Sequence, residues 1–368
     1  MVAFVNLTKI QNAIFKRKLL DRKRQEKILD KYNPKDDFDR SYFQYCCQTK
    51  CLSFLSKVLL NAGSIFYLLT VRLGIHKKRS IEKTQKDKIY YLINDPANIP
   101  EDLRTSFYNV DKEISSVYNA QTAKFIKEIN KRYFFHFYFR AKVIKKIAIY
   151  EYMFLKYEPT SIYTSNEYSF TSSILTLFCE KQNIENIDIM HGEKIFDIFD
   201  SFFRFSKIYA WDESYISLFK SLKASINDYG LYFPKSRFFI EKDMSPKYDL
   251  TIYLQEQNQK EMSALKKQLS KTNLLISIRP HPIYTNIKVC KKIFETYNIE
   301  DVKKTSITDS LRQTKCVCSL YSTVLLTAHK SNIPFIIDDI SMPHKFEILK
   351  DLDYPMINSN SKLLSNIK

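Results

Sequence analysis

An apolar run that stops at two prolines frames what this chain can fold into. Leu274-Leu275-Ile276-Ser277-Ile278 is followed at once by Arg279-Pro280-His281-Pro282. The run reads as a buried strand. Each proline fixes its own φ and turns the preceding residue away from helix, so the strand must end and turn at Pro280. A cation and an imidazole are then left at a strand's carboxyl edge, where open α/β sheets bind ligands.

Similar runs recur on both sides. Residues 88–95, 161–164, 187–190, 208–211, 249–254, 316–320 and 335–337 read as strands. Residues 170–182, 213–223, 258–270 and 322–330 read as the helices between them. Strands alternating with short helices imply parallel sheets. Upstream, 110–131 reads as one polar helix and 133–157 as a second, rich in aromatic and basic residues. The stretch 227–246 holds Gly230 and Pro234 and ends on Pro246. It reads as a linker with an edge strand at Phe238-Phe239-Ile240.

A chain of 368 residues exceeds one ordinary core. The expected division is a basic, partly apolar helical segment at 1–85, a Rossmann-like domain at 86–235 and a second at 236–368. The expected fold class is therefore α/β, with two Rossmann-like domains facing a cleft and a basic helical N-terminal extension.

The formal net charge of +18 favours an anionic partner: nucleic acid, an anionic membrane face or a phosphorylated substrate. A plainly soluble basic surface is the alternative. No helix-turn-helix, RRM or zinc-finger signature supports nucleic acid, and none is expected as a partner. Residues 51–75 form the most apolar segment, interrupted by Lys57, closed by Arg72 and followed by His76-Lys77-Lys78-Arg79. They read equally as a core helix or as a helix lying in an anionic membrane surface. Four glycines cannot build a P-loop or a dinucleotide fingerprint. Phosphate must then be held by hydroxyls, helix-start N–H groups and basic side chains. Seven scattered cysteines make no zinc spacing, and the acidic pairs near residues 37, 338 and 351 read as chance. No metal and no cofactor are expected. The first residues lack a signal-peptide pattern, so the expected location is the cytoplasm, with the inner face of the cytoplasmic membrane as a peripheral site.

Three constellations carry chemistry. Arg279 suits bidentate grip on a phosphate, and His281 suits donation to a leaving oxygen, with Pro282 closing the turn. Ser319-Leu320-Tyr321-Ser322-Thr323 ends a strand and opens a helix, so its hydroxyls fall where free N–H groups meet anions; plain helix capping is the ordinary alternative. His191-Gly192-Glu193 stands at another strand edge, with Glu167 in the preceding edge loop as a neighbour. A partly desolvated carboxylate there can act as a general base.

Two Rossmann-like halves, the R-P-H-P strand end and the S-x-Y-S-T junction resemble GT-B glycosyltransferases of bacterial capsule and lipopolysaccharide assembly. The His-Pro and Ser/Thr pairs are similar to nucleotide-phosphate motifs of bacterial sialyltransferases and polysialyltransferases. The acidic motif of those enzymes is absent as such, and Met190-His191-Gly192-Glu193 stands near its place. The resemblance implies metal-independent transfer from a nucleotide-sugar, such as a CMP-sugar, to a glycan or lipid-linked acceptor. It places the donor phosphate on Arg279, His281, Ser322 and Thr323, and the acceptor near Glu167, His191 and Glu193. A glycerophosphotransferase or a nucleotide-sugar epimerase on the same scaffold, and a basic nucleic-acid-binding protein, remain the competing readings.

Overall fold

The structure is a computed structural model that describes residues 18–72, 81–93, 95–104, 108–110, 115–241 and 245–367. The basic cluster at 76–79 lies outside the described residues. The chain divides into two compact units: Met1–His191 with Phe196–Pro234, and Gly192–Ile195 with Lys235–Lys368. Each is built on an all-parallel sheet, so the α/β expectation holds.

In the first unit, β1 (Lys88–Tyr90), β2 (Ser161–Thr164), β3 (Glu185–Ile189), β4 (Lys207–Ala210) and β5 (Tyr229–Leu231) lie in sequence order. Period-two alternation sends Ile162 to a large core with Phe139, Ile147, Phe170 and Phe178. It sends Tyr163, Ile187 and Ile189 to a smaller core with Tyr90, Ile93 and Ile99 on the opposite face. The helices Phe137–Tyr157 and Ser172–Glu180 supply most of the large core. Sequence reading starts the preceding helix too early. It begins at Ala120, because Asn119 and Thr122 form a reciprocal capping box, while the Val110 N–H is already committed to the Tyr90 carbonyl.

The basic N-terminal segment contributes working parts of this unit. Gln44, in the helix Asp37–Lys50, donates to the carbonyls of Glu167 and Phe199 at 2.9 Å each. Gln48 donates to the carbonyls of Tyr168 and Phe199 at 2.7 and 2.9 Å. These buried amides satisfy loop carbonyls that water cannot reach, and so fix the loop after β2. Arg204 fastens the same helix by gripping Asp37 and Glu180 together.

The expected edge strand at 238–240 is absent. Phe238 ends a helical turn, Lys235–Phe238, and its carbonyl accepts from the Ser331 hydroxyl. The edge strand is β5 instead, inside the expected linker. Gly230 is needed there: a Cβ would stand 2.7 Å from Cε1 of the Tyr209 ring on the neighbouring strand.

In the second unit, β6 (Leu250–Tyr253), β7 (Ile276–Arg279), β8 (Asn298–Ile299), β9 (Val317–Ser319) and β10 (Phe335–Ile337) take the order β10-β9-β6-β7-β8. Leu250, Ile252, Ile276, Ile278 and Cys318 pack with Met262, Leu265 and Phe294 in one core. The chain builds from β6 through β7 to β8, then returns to the other side of β6 for β9 and β10. The strand order therefore reverses between β6 and β9, and in open α/β sheets such a switch point opens a ligand crevice at the carboxyl ends.

Candidate functional site

The loops after β6, β7 and β9 meet at that carboxyl edge. Ser319, at the end of β9, donates its hydroxyl to the Tyr253 carbonyl at 2.9 Å. It is 1 % exposed and acts as a strap between the two strands rather than as a free ligand group. Thr285 links the other two loops: its hydroxyl donates to the Gln255 carbonyl at 2.8 Å and accepts from the His281 N–H at 2.8 Å.

His281 is the most informative residue of the edge. Its Nδ1 accepts from the backbone N–H groups of Ile283 and Tyr284, at 3.1 and 3.2 Å. An acceptor Nδ1 is unprotonated, so the ring proton sits on Nε2 and that nitrogen is the donor. The ring stacks on Tyr284 at 4.4 Å between centroids. Partial burial lowers its pKa, which favours the neutral ring.

Arg279 departs from the sequence expectation. Its Nη1 donates to Glu300 Oε2 at 2.6 Å, and its Nη2 to the Thr305 carbonyl at 3.0 Å. With 6 % exposure, it is a buried ion-pair partner that ties β7 to the chain after β8. A phosphate grip by Arg279 does not fit this geometry. Glu300 also accepts from Ser310 at 2.9 Å and Ser277 at 3.3 Å. Glu300→Ala is expected to cost about 3–5 kcal/mol in a urea melt, since it strands a buried guanidinium. A loss under about 1 kcal/mol would show that water reaches the cation freely.

The helix Thr323–Lys330 starts where sequence reading placed it, with Ser322 as N-cap accepting from the Val324 N–H at 3.3 Å. Thr323 is exposed at the first turn, and Pro282 is exposed in the turn after His281. Two further residues reach this helix start. Tyr354 stands against Tyr321, ring centroids 5.0 Å apart, and its phenol meets the Ser322 N–H. Lys345 lies 5.9 Å from the Tyr321 ring and pairs with Glu256. Neither carries a sequence motif; only its place in the fold brings it here.

Glu193 belongs to this second-unit cluster. The Tyr354 hydroxyl donates to its Oε2 at 3.4 Å, while Oε1 is buried with no hydrogen-bond partner among the described residues. Burial pushes its carboxyl up to about 7, against the lowering effect of the Tyr354 hydroxyl and the Lys330 charge. A carboxyl so placed exchanges a proton near neutrality.

The first unit holds the other expected pair. Glu167 is fully buried in the loop after β2, and His191 follows β3. Asp188 Oδ1 accepts the Asn166 N–H at 2.7 Å, and the Ser165 hydroxyl donates to the Ile189 carbonyl at 2.7 Å. These bonds fix the two loops side by side. His191 Nδ1 then lies 3.3 Å from Glu167 Oε1, its side chain 41 % exposed, with its ring against Tyr168. A carboxylate at Nδ1 favours the Nδ1–H tautomer and leaves the lone pair on Nε2. His281 thus presents a donor at Nε2, and a proton held on Nδ1 by the nearby Glu167 carboxylate would make His191 Nε2 a base.

Asp338 is occupied locally, accepting from the Ile340 and Ser341 N–H groups and the Ser341 hydroxyl, which closes the turn after β10.

No family model matches the sequence, and no curated protein matches it. Among solved structures, the chain is similar to the lipopolysaccharide outer core galactosyltransferase WaaB in its apo form, at 11 % identity and a TM-score of 0.36, covering 75 % of this chain and 85 % of that one. It is similar to TarM at 13 % identity and a TM-score of 0.37, covering 60 % and 49 %. It is similar to the wall teichoic acid polymerase TagF at 11 % identity and a TM-score of 0.34, covering 77 % and 79 %.

Proposed function

We propose that the protein is a glycosyltransferase acting without a metal, moving a sugar from a nucleotide-sugar to a hydroxyl of a glycan or lipid-linked acceptor in surface-polysaccharide assembly. The observation that carries the reading is His281 at the switch-point edge of the second unit, where two backbone N–H groups on Nδ1 leave Nε2 as the donor. A group transfer to a hydroxyl needs one group to take the acceptor's proton and another to meet charge on the leaving oxygen. His191, oriented by buried Glu167, suits the first task. His281, with its proton on Nε2, suits the second.

The acceptor hydroxyl would give its proton to His191 Nε2 as its oxygen bonds the anomeric carbon. The bond from that carbon to the donor's phosphate oxygen would break, and the nucleotide would leave with the electron pair. His281 Nε2–H, the Thr323 N–H at the helix start and the Lys345 charge would receive the phosphate. Glu193, near neutral pH in either protonation state, would trade a proton with the same oxygens. This set is made of hydrogen-bond donors and fixed charge, which is why the proposal needs no metal. The resemblance of the R-P-H-P and S-x-Y-S-T segments makes a CMP-sugar the first donor to try.

A thermal-shift panel of CMP, CDP, UDP and GDP tests the reading. One nucleotide is expected to raise the melting temperature, by about 2.7 kcal/mol of linkage at a hundredfold excess over its Kd. No shift with any of the four would remove the transferase reading. Turnover of a CDP-polyol without sugar transfer would move the assignment to glycerophosphotransfer.

A further inference from the structure

The helix Phe54–Arg72 is inverted. Its polar residues Ser56, Asn61, Ser64 and Tyr67 turn toward the protein, and most of its large apolar residues face outward. Ser56 is fully buried and Ser64 is 7 % exposed. The Asn61 side chain accepts the Tyr138 N–H at 3.3 Å, and Tyr67 shares a 2.7 Å hydroxyl contact with Tyr118. Phe54, Leu55, Val58, Leu59, Ile65, Phe66 and Leu69 are all exposed, Phe54 by 82 % and Phe66 by 72 %. Their spacing of three and four residues puts them on one continuous face. That face runs about 23 Å along the axis at the α-helical rise.

The neighbouring turn extends it. Phe134 and Phe135 are exposed by 57 % and 79 %, just before the helix Phe137–Tyr157 against which the inverted helix packs. His136 and Tyr138 of this turn line a cavity of about 190 Å³ together with Leu60 and Asn61. The Arg140 guanidinium stands 5.3 Å over the Phe134 ring.

Charge selects the occupant. The helix carries no acid; its charged residues are Lys57 and Arg72. Lys50 precedes it and the basic sequence 76–79 follows it, in a chain of net charge +18. An apolar strip with cations at both ends complements the headgroup–acyl boundary of an anionic bilayer. In a two-fold dimer the same cationic flanks would face their own copies. The helix has the length and composition to cross a bilayer. Yet its polar face is committed to the protein, so it can lie in a membrane surface but not pass through one.

We infer that the exposed face of Phe54–Leu69, with Phe134 and Phe135, docks this protein onto an anionic lipid bilayer. This stands independently of the transfer reading. Vesicle flotation tests it, with the full chain and vesicles of phosphatidylcholine alone or mixed with phosphatidylglycerol. The protein is expected to float with the mixed vesicles and to be released by salt. Gly63 offers a clean variant, because no atom lies within 4 Å of a Cβ built there. Gly63→Glu and Phe66→Glu are each expected to weaken vesicle binding about tenfold or more, with the melting temperature held. Absent flotation, or variants that bind as well as the original, would overturn the inference. So would a lipid-free dimer that Gly63→Glu converts to monomer, which would assign the face to a second copy of the chain.

Discussion

His191→Ala is expected to lower transfer by roughly a hundred- to ten-thousand-fold, the usual worth of a positioned general base. Nucleotide affinity should hardly change, because the proposed base stands at the first-unit edge and the proposed phosphate-binding groups at the second-unit edge. Glu167→Gln is the sharper test. It keeps the shape of a residue with no exposed surface, yet removes the carboxylate that stands 3.3 Å from His191 Nδ1. The turnover should fall with nucleotide binding kept, and Glu167→Asp, which retains a carboxylate, should recover part of it. A fall that Glu167→Asp does not relieve would leave Glu167 a packing role only. Full activity in His191→Ala would move the base elsewhere.

His281→Ala is expected to cost about a hundred- to a thousandfold in turnover, the range seen when one donor to a developing anion is removed. Here the loss should extend to nucleotide binding. The residue also predicts a pH response. Its pKa is lowered from 6.5 by burial, so the folded protein prefers the neutral ring. The stabilisation of the turn is complete above 6.5 and is lost as pH falls through the lowered value. Protonating Nδ1 removes the acceptor for the Ile283 and Tyr284 N–H groups. Hydrogen exchange at those two amides should accelerate, relative to its normal pH dependence, as pH is taken below that window. In His281→Ala the two amides should be unprotected at every pH. Steady protection across the range would show that the ring does not hold the turn.

The strands that were legible in the sequence were those whose apolar runs end in strong punctuation. β7 was fixed by Pro280 and Pro282, and β9 by the hydroxyl-rich junction at Ser322. β8 was not, because Asn298–Ile299 is two residues long and pairs with β7 only through tertiary placement. Missing β8 also hid Glu300, and an arginine without its visible partner read as a phosphate ligand. β5 escaped because Gly230 signals a turn, whereas here it answers a close aromatic ring. Phe238-Phe239-Ile240 misled in the opposite sense: a short apolar run fits a buried helical turn as well as a strand. The pairing of Glu167 with His191 followed from parallel register, since loops after adjacent strands open at one edge. Tyr354 and Lys345 had no local signal at all. They reach the edge from the helix Pro343–Asp351 and the turn after it, and no pattern along the chain records that approach.

Opposite tautomers at His191 and His281, as the proposed reaction requires, have a spectroscopic consequence. Nitrogen-15 shifts separate a protonated ring nitrogen from a bare one, and long-range couplings to the ring carbons tell Nδ1 from Nε2. With six histidines in the chain, the ring spectrum is sparse enough to assign. His191 should show its pyridine-like nitrogen at Nε2, and His281 should show it at Nδ1. Titrating in a nucleotide should disturb the second signature and leave the first in place, so each edge carries its own reporter before any acceptor is known.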